Sequence, residues 1–162
     1  MDKEISLRQT RVDELNWILQ LEADAREEGF IRGNDAPAHR NHLADPQIQY
    51  LTILQGDEPV GFVILLNIET QDRNVELGRL IIGPRERGIG QSAMRVILRY
   101  AFEELGAHRV WLDTLSHNVP AQHVYEKLGF TREGVARQAL LFDGKYHDLL
   151  LYGLLVNEWS SR

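Results

Sequence analysis

The spacing of apolar residues changes period several times along this chain, and each change marks a predicted element. "EISLR", residues 4–8, alternates and predicts a first strand. In "VDELNWILQLEADAREEG", residues 12–29, Leu15, Ile18, Leu19 and Leu21 fall at helical intervals, with Asp13 as the expected N-cap. "NDAPAHRNHLAD" reads as a short second helix. "YLTILQ" and "VGFVILLNIE", joined by the turn "GDEP", predict a hairpin, and "TQDRN" then leads into a further strand, "VELGRLII". Three strands linked by short turns imply an antiparallel meander.

From Gly88 to Leu105 the residues Ile89, Ala93, Val96, Ile97 and Tyr100 form one helical stripe, widened by Met94, Leu98, Ala101 and Phe102 and stopped at Gly106. The strand "HRVWLDTL" follows that helix and so runs parallel to "VELGRLII". "VPAQHVYEKLG" is a helix with Pro120 in its first turn, and the tail is a hairpin, "GVARQALLF" and "YHDLLLYGLLV" about the turn "DGK". The expected fold is α/β in the α+β sense, a mixed and mostly antiparallel sheet with helices, in one domain over residues 1–162.

Composition narrows the chemistry. A chain of 162 residues is long enough to bury one core, and 43% hydrophobic with 26% charged residues is ordinary for a globular protein. With no cysteine there is no disulfide, no thiolate metal site and no S-acyl enzyme, and a reducing compartment such as the cytoplasm is the default. The start "MDKEISLRQT" lacks the apolar core of a signal peptide, and no run reaches membrane-spanning length. A formal charge of -6 disfavours nucleic acid as a partner, leaves room for a cationic small molecule or peptide, and does not exclude a local basic phosphate site. The acidic group Glu22, Asp24, Glu27 and Glu28 reads as a solvated helix end that would attract such a substrate. His39 and His42 have no third ligand at useful spacing, so no metal is expected and they read as surface residues. Trp17, Trp111 and Trp159 read as packing residues, and "DTLSH" does not by itself make a triad.

The informative stretch is "GPRERGIGQSA", residues 83–93. Gly88 and Gly90 expose the unpaired amides of a helix N-terminus, where Arg85 and Arg87 would add forked donors suited to phosphate. "GIGQSA" also fits the dinucleotide pattern G-x-G-x-x-A, with Asp113 at the next strand end in the acidic position. Against a nicotinamide oxidoreductase, "GPRER" intervenes between strand and glycine, and an antiparallel meander precedes the unit. On that ground Asp113 reads as a strand-end residue bonding in the following loop.

Further on comes "NVPAQHVYEKLGF". Arg85, Gly88 and Gly90 with Asn118, Ala121, Tyr125, Gly129 and Phe130 together resemble the paired motifs of the GNAT superfamily of acyl-CoA N-acyltransferases. The tail "DGKYHDLLLYGLLVNEW" is similar to the branch of ribosomal-protein N-terminal and polyamine acetyltransferases. The loop before Gly88 is shorter than the commonest family form. The resemblance implies a sheet with helices on both faces and a splayed parallel strand pair that receives acetyl-CoA as co-substrate. The pantetheine would lie on the backbone of Leu80 and Ile82 and beside Asn118, and the pyrophosphate on the amides from Arg85 through Gly88, Ile89 and Gly90 to Gln91. Tyr125 would protonate the leaving sulfur, since a phenol near pKa 10 and a thiol near 8.5 are close to balanced. Glu76, read as sharing a strand face with Gly78, Leu80 and Ile82, would take the proton of the attacking amine. The implied acceptor is a primary amine: a peptide N-terminus, a polyamine, an aminoglycoside or another small amine. A homodimer also follows by resemblance. A non-catalytic acyl-CoA sensor is the alternative.

Overall fold

Seven strands form one sheet in the order β1-β2-β3-β4-β5-β7-β6. The computed structural model describes residues 3–29, 31, 36–83 and 88–160, with side chains as far as Trp159. The loop that carries Arg85 and Arg87 lies outside the described residues. β1 (Ile5–Gln9), β2 (Ile48–Gln55), β3 (Glu58–Leu66) and β4 (Asn74–Ile82) pair antiparallel in sequence, as their short turns require. β5 (Arg109–Leu115) joins β4 in parallel, and the hairpin β6 (Thr131–Phe142) and β7 (Lys145–Leu155) completes the sheet antiparallel to β5. That hairpin turns at Asp143 and Gly144, whose φ angles of 50° and 73° suit a tight turn between twisted strands.

Helices cover both faces. α1 (Leu15–Glu27) and α2 (Ala36–Leu43) lie over one, where Ile18 and Leu21 pack with Tyr50, Phe62, Ile64 and Ile81. α3 (Gly90–Arg99), α4 (Val119–Lys127) and the closing α5 (Val156–Ser160), which the sequence pattern did not reveal, lie over the other. There Ala93, Met94, Ile97 and Leu98 are at most 1% exposed, so the stripe of α3 forms the larger core. α3 ends in a π-helical turn, Tyr100–Glu104, closed by the bond from Leu105 N–H to Tyr100 O at 3.0 Å. Gly106, at φ 71°, then stops it.

Three local expectations are corrected. Asp13 does not cap α1. A short 3₁₀ turn over Val12–Glu14 precedes the helix, and Glu14 accepts the Arg11 N–H at 2.9 Å and two bonds from Arg8 at 2.6 and 3.0 Å. These donors hold its carboxyl below the usual range. His39 is not a surface residue but is fully buried, with Nδ1 2.6 Å from the Tyr50 hydroxyl. Glu22 is likewise interior, at 1% exposure, rather than part of a solvated helix end. A carboxylate on the buried stripe of α1 needs partners there, and it has them in Arg79 and His39.

Candidate active site

The site begins with a bulge. Across β3 and β4, Leu65 pairs with Leu77 and Ile64 with Arg79, so Gly78 is an extra residue. A Cβ there would run into the end of the Leu66 side chain, so glycine lets the strand bulge without moving that side chain. An extra residue also reverses the faces of everything after it. Leu77 and Leu80 face the α3 side, while Glu76, Arg79 and Ile81, opposite Leu66, Ile64 and Phe62, face the α1 side. The expectation that Glu76 shares a face with Leu80 and Ile82 is therefore overturned: strict alternation fails at Gly78.

Beyond the bulge the parallel strands part. β4 and β5 pair only through Asn74–Arg109, Val75–Val110 and Glu76–Trp111. Past Glu76 their backbones separate into a cleft of about 270 Å³. Its walls are Leu77 to Leu80 from β4, Leu112 to Leu115 from β5, Asn118 and Tyr125 of the α4 region, and Ile31, Leu140 and Leu149. The unpaired backbone of two strands offers donors and acceptors to an extended ligand, the geometry by which a peptide-like arm adds to a sheet.

Leu80 lines this cleft, whereas Ile82 is not among its lining residues and sits at the end of β4 opposite Gly61. Gly88, at φ 101°, makes the turn into α3. The N-cap of α3 is Ile89, with no side-chain cap, and the first helical bond runs from Ala93 N–H to Ile89 O at 2.8 Å. Among the described residues, the amides of Gly90, Gln91 and Ser92 thus have no hydrogen-bond partner, and beyond the adjoining backbone nothing lies within 4 Å of where a Cβ on Gly88 or Gly90 would stand. Asn118 caps α4 through Oδ1, accepting the Ala121 N–H at 3.3 Å, and lines the cleft as well.

Tyr125 enters from α4, its ring 5.9 Å from Phe130 and 5.7 Å from Tyr152. Its hydroxyl makes no hydrogen bond among the described residues. Burial first, then the charge of Asp113, push its pKa up to about 12. Asp113 is the residue that sequence reasoning undervalued. It lines the cleft on the Glu76 face, exposed to the opening, and makes no hydrogen bond among the described residues in the loop that follows. Crowding by surrounding protein raises its carboxyl above the usual value, and Arg79 partly offsets this. Glu76 is raised too, by desolvation first and by Asp113 second, but is not among the lining residues. The acidic position assigned and then dismissed under the dinucleotide pattern was the one available signal for Asp113.

An opened parallel pair with a bare helix N-terminus beside it defines the class, an α+β acyltransferase. Residues 13–130 match the Acetyltransferase (GNAT) family. YdaF of Bacillus subtilis strain 168, provisionally named a ribosomal N-acetyltransferase, is 36% identical over 126 residues, covering 77% of this chain and 69% of YdaF. The spermidine N(1)-acetyltransferase of Escherichia coli K12 is 26% identical over 97% of this chain and 89% of its own. Among solved structures, spermidine N-acetyltransferase from Vibrio cholerae in complex with CoA and spermine superposes with a TM-score of 0.86 at 22% identity, covering 96% of this chain and 98% of that one. The chain belongs to the GNAT family of acetyl-CoA-dependent N-acetyltransferases. The dinucleotide oxidoreductase reading is thereby set aside. Among the described residues no helix is long and apolar enough to cross a membrane.

Proposed function

We propose that this protein acetylates a primary amine in the cleft between β4 and β5, with Asp113 as proton acceptor and Tyr125 as hydrogen-bond donor to the departing sulfur. The observation that carries the reading is the gap in the sheet, which opens the α3 face to the α1 face between Tyr125 and Asp113. Acetyl-CoA enters from the α3 side. Its pyrophosphate rests on the amides of Gly88, Ile89, Gly90 and Gln91, with Arg85 and Arg87 of the adjoining loop as counter-charges. Its pantetheine runs along Leu80 and towards Ile82, within reach of the Asn118 side chain.

The acceptor arrives from the α1 side as an ammonium, drawn by Asp113 and Glu76. Asp113, directly or through a water, removes one proton; the amine attacks the thioester carbonyl, a C–N bond forms and the C–S bond breaks. The sulfur leaves as a thiolate and takes up the second proton that the nitrogen loses on becoming an amide, giving CoA thiol, so the net release is the one proton taken by Asp113. A Tyr125 pKa near 12 makes full transfer to a thiolate near 8.5 uphill. Its hydroxyl therefore stabilises the developing charge mainly by donating a short hydrogen bond. Glu76 raises the local negative potential and is the second acceptor, behind Asp113. The 162 residues act as one acetyltransferase domain. The test is thiol release from acetyl-CoA with a panel of amines: release that needs both an amine and Asp113 supports the reading, and saturable acetyl-CoA binding without turnover marks a sensor instead.

A further inference from the structure

We infer that Arg79 recognises a carboxylate on the acceptor, so that the natural substrate is a zwitterion, an amine and a carboxylate in one small molecule or peptide. This rests on the transfer reading and specifies its substrate class. The bulge at Gly78 turns Arg79 onto the face of Glu76 and Asp113, and its side chain lines the cleft at 19% exposure. The guanidinium is anchored from behind. Its Nη1 donates to Glu22 Oε1 at 3.0 Å, and Glu22 is itself 1% exposed. The same oxygen lies 2.9 Å from His39 Nε2, although the ring is not aligned for a hydrogen bond, and the other ring nitrogen meets Tyr50. His42 Nδ1 lies a further 3.4 Å beyond the Tyr50 hydroxyl. Interior groups of α1, α2 and β2 thus fix one corner of the guanidinium.

Among the described residues the rest of it makes no hydrogen bond. Arginine has five N–H donors in a planar fork, and the only hydrogen bond of Arg79 among the described residues is the one to Glu22. Arg79 is close enough to lower the Asp113 pKa but makes no ion pair with it. A cleft wall that carries the Asp113 carboxylate and, on the same face, the Arg79 cation with donors left over is matched by a ligand of both signs. The ammonium meets Asp113, and the carboxylate meets the guanidinium fork. A polyamine would instead place a second positive charge near Arg79.

Three pairs test this: an α-amino acid, β-alanine and a dipeptide, each against its carboxamide. Thiol release from acetyl-CoA and calorimetry on the CoA-loaded protein are measured for the wild type, Arg79→Gln and Arg79→Lys. The expected wild-type kcat/KM favours the acids by about 10- to 100-fold, the range of one charge-assisted contact. Arg79→Gln removes that preference by lowering the acids alone, with acetyl-CoA affinity within about twofold. Arg79→Lys keeps the counter-charge for Glu22 and retains part of the preference, which covers the case in which Arg79→Gln fails to fold. Acids and carboxamides used equally by the wild type, faster use of spermidine than of any acid, or an equal loss for both members in the variants would overturn the inference. If no amine releases thiol, the transfer reading fails instead, and the calorimetric preference for acids over carboxamides still decides the role of Arg79.

Discussion

Asp113 and Tyr125 face one cleft, and the roles proposed for them have opposite requirements: a base must be ionised, a hydrogen-bond donor neutral. Burial and mutual repulsion hold Tyr125 neutral throughout the working range. The same crowding lifts Asp113 and Glu76 above their ordinary values of 3.8 and 4.5, so the acid limb of kcat/KM lies at higher pH than a free carboxylate would give. Asp113→Asn is expected to lower kcat by about 10²- to 10⁴-fold. A folded-state pKa above the unfolded one means that protonation favours folding, so the stability from these carboxyls is greatest in acid and falls as pH rises through the raised values. Asp113→Asn should therefore melt above the wild type at pH 8 and converge with it towards pH 4, a comparison that calorimetric melting curves make directly. Tyr125→Phe should lower kcat by about 10- to 100-fold with acetyl-CoA affinity little changed, since a lost donor to a transition-state charge affects only the chemical step. Equal turnover in the two proteins would remove Tyr125 from the mechanism.

The elements that build the site work through what they leave unpaired. Gly88 and Gly90 differ in the reason for being glycine, which makes them separable. Gly88 holds φ 101°, so Gly88→Ala costs about 1–2 kcal/mol of backbone strain although no neighbour obstructs a Cβ. Gly90 has an ordinary φ and open space around it among the described residues, so Gly90→Val should fold with unchanged or slightly higher stability, checked by urea unfolding. Strand and helix order was legible because the apolar period switches cleanly between two and 3.6, and the meander and parallel crossover followed from connection lengths. The bulge was not legible, because one inserted residue leaves every neighbour apolar and only the pairing register reveals it. That is why Glu76 was placed on the wrong face. The positions of Asn118 and Tyr125 at the α4 region and of Gly88 and Gly90 at the start of α3 were legible from motif spacing. Asp113 and Arg79 were not, because their part in the cleft depends on where β4 and β5 separate.

At the scale of the molecule, two cores lie on opposite faces of one sheet, and the cleft is the place where the sheet fails to divide them. The larger core is centred on α3, where Leu98 is fully buried. Leu98→Ala should cost about 2–5 kcal/mol and lower the melting temperature in the absence of ligand. Acetyl-CoA should raise it in both proteins by mass action, because the ligand binds only the folded sheet. The central claim is that the bare amides at the start of α3 hold the diphosphate of acetyl-CoA beside the parted strands. Titration calorimetry of acetyl-CoA into the wild type and Gly90→Val tests it most directly. The expected result is saturable one-to-one binding to the wild type and at least about tenfold weaker binding to the equally stable variant, because a side chain now stands where phosphate must approach. Equal affinity in the two proteins, or no binding to the wild type at millimolar acetyl-CoA, would contradict it.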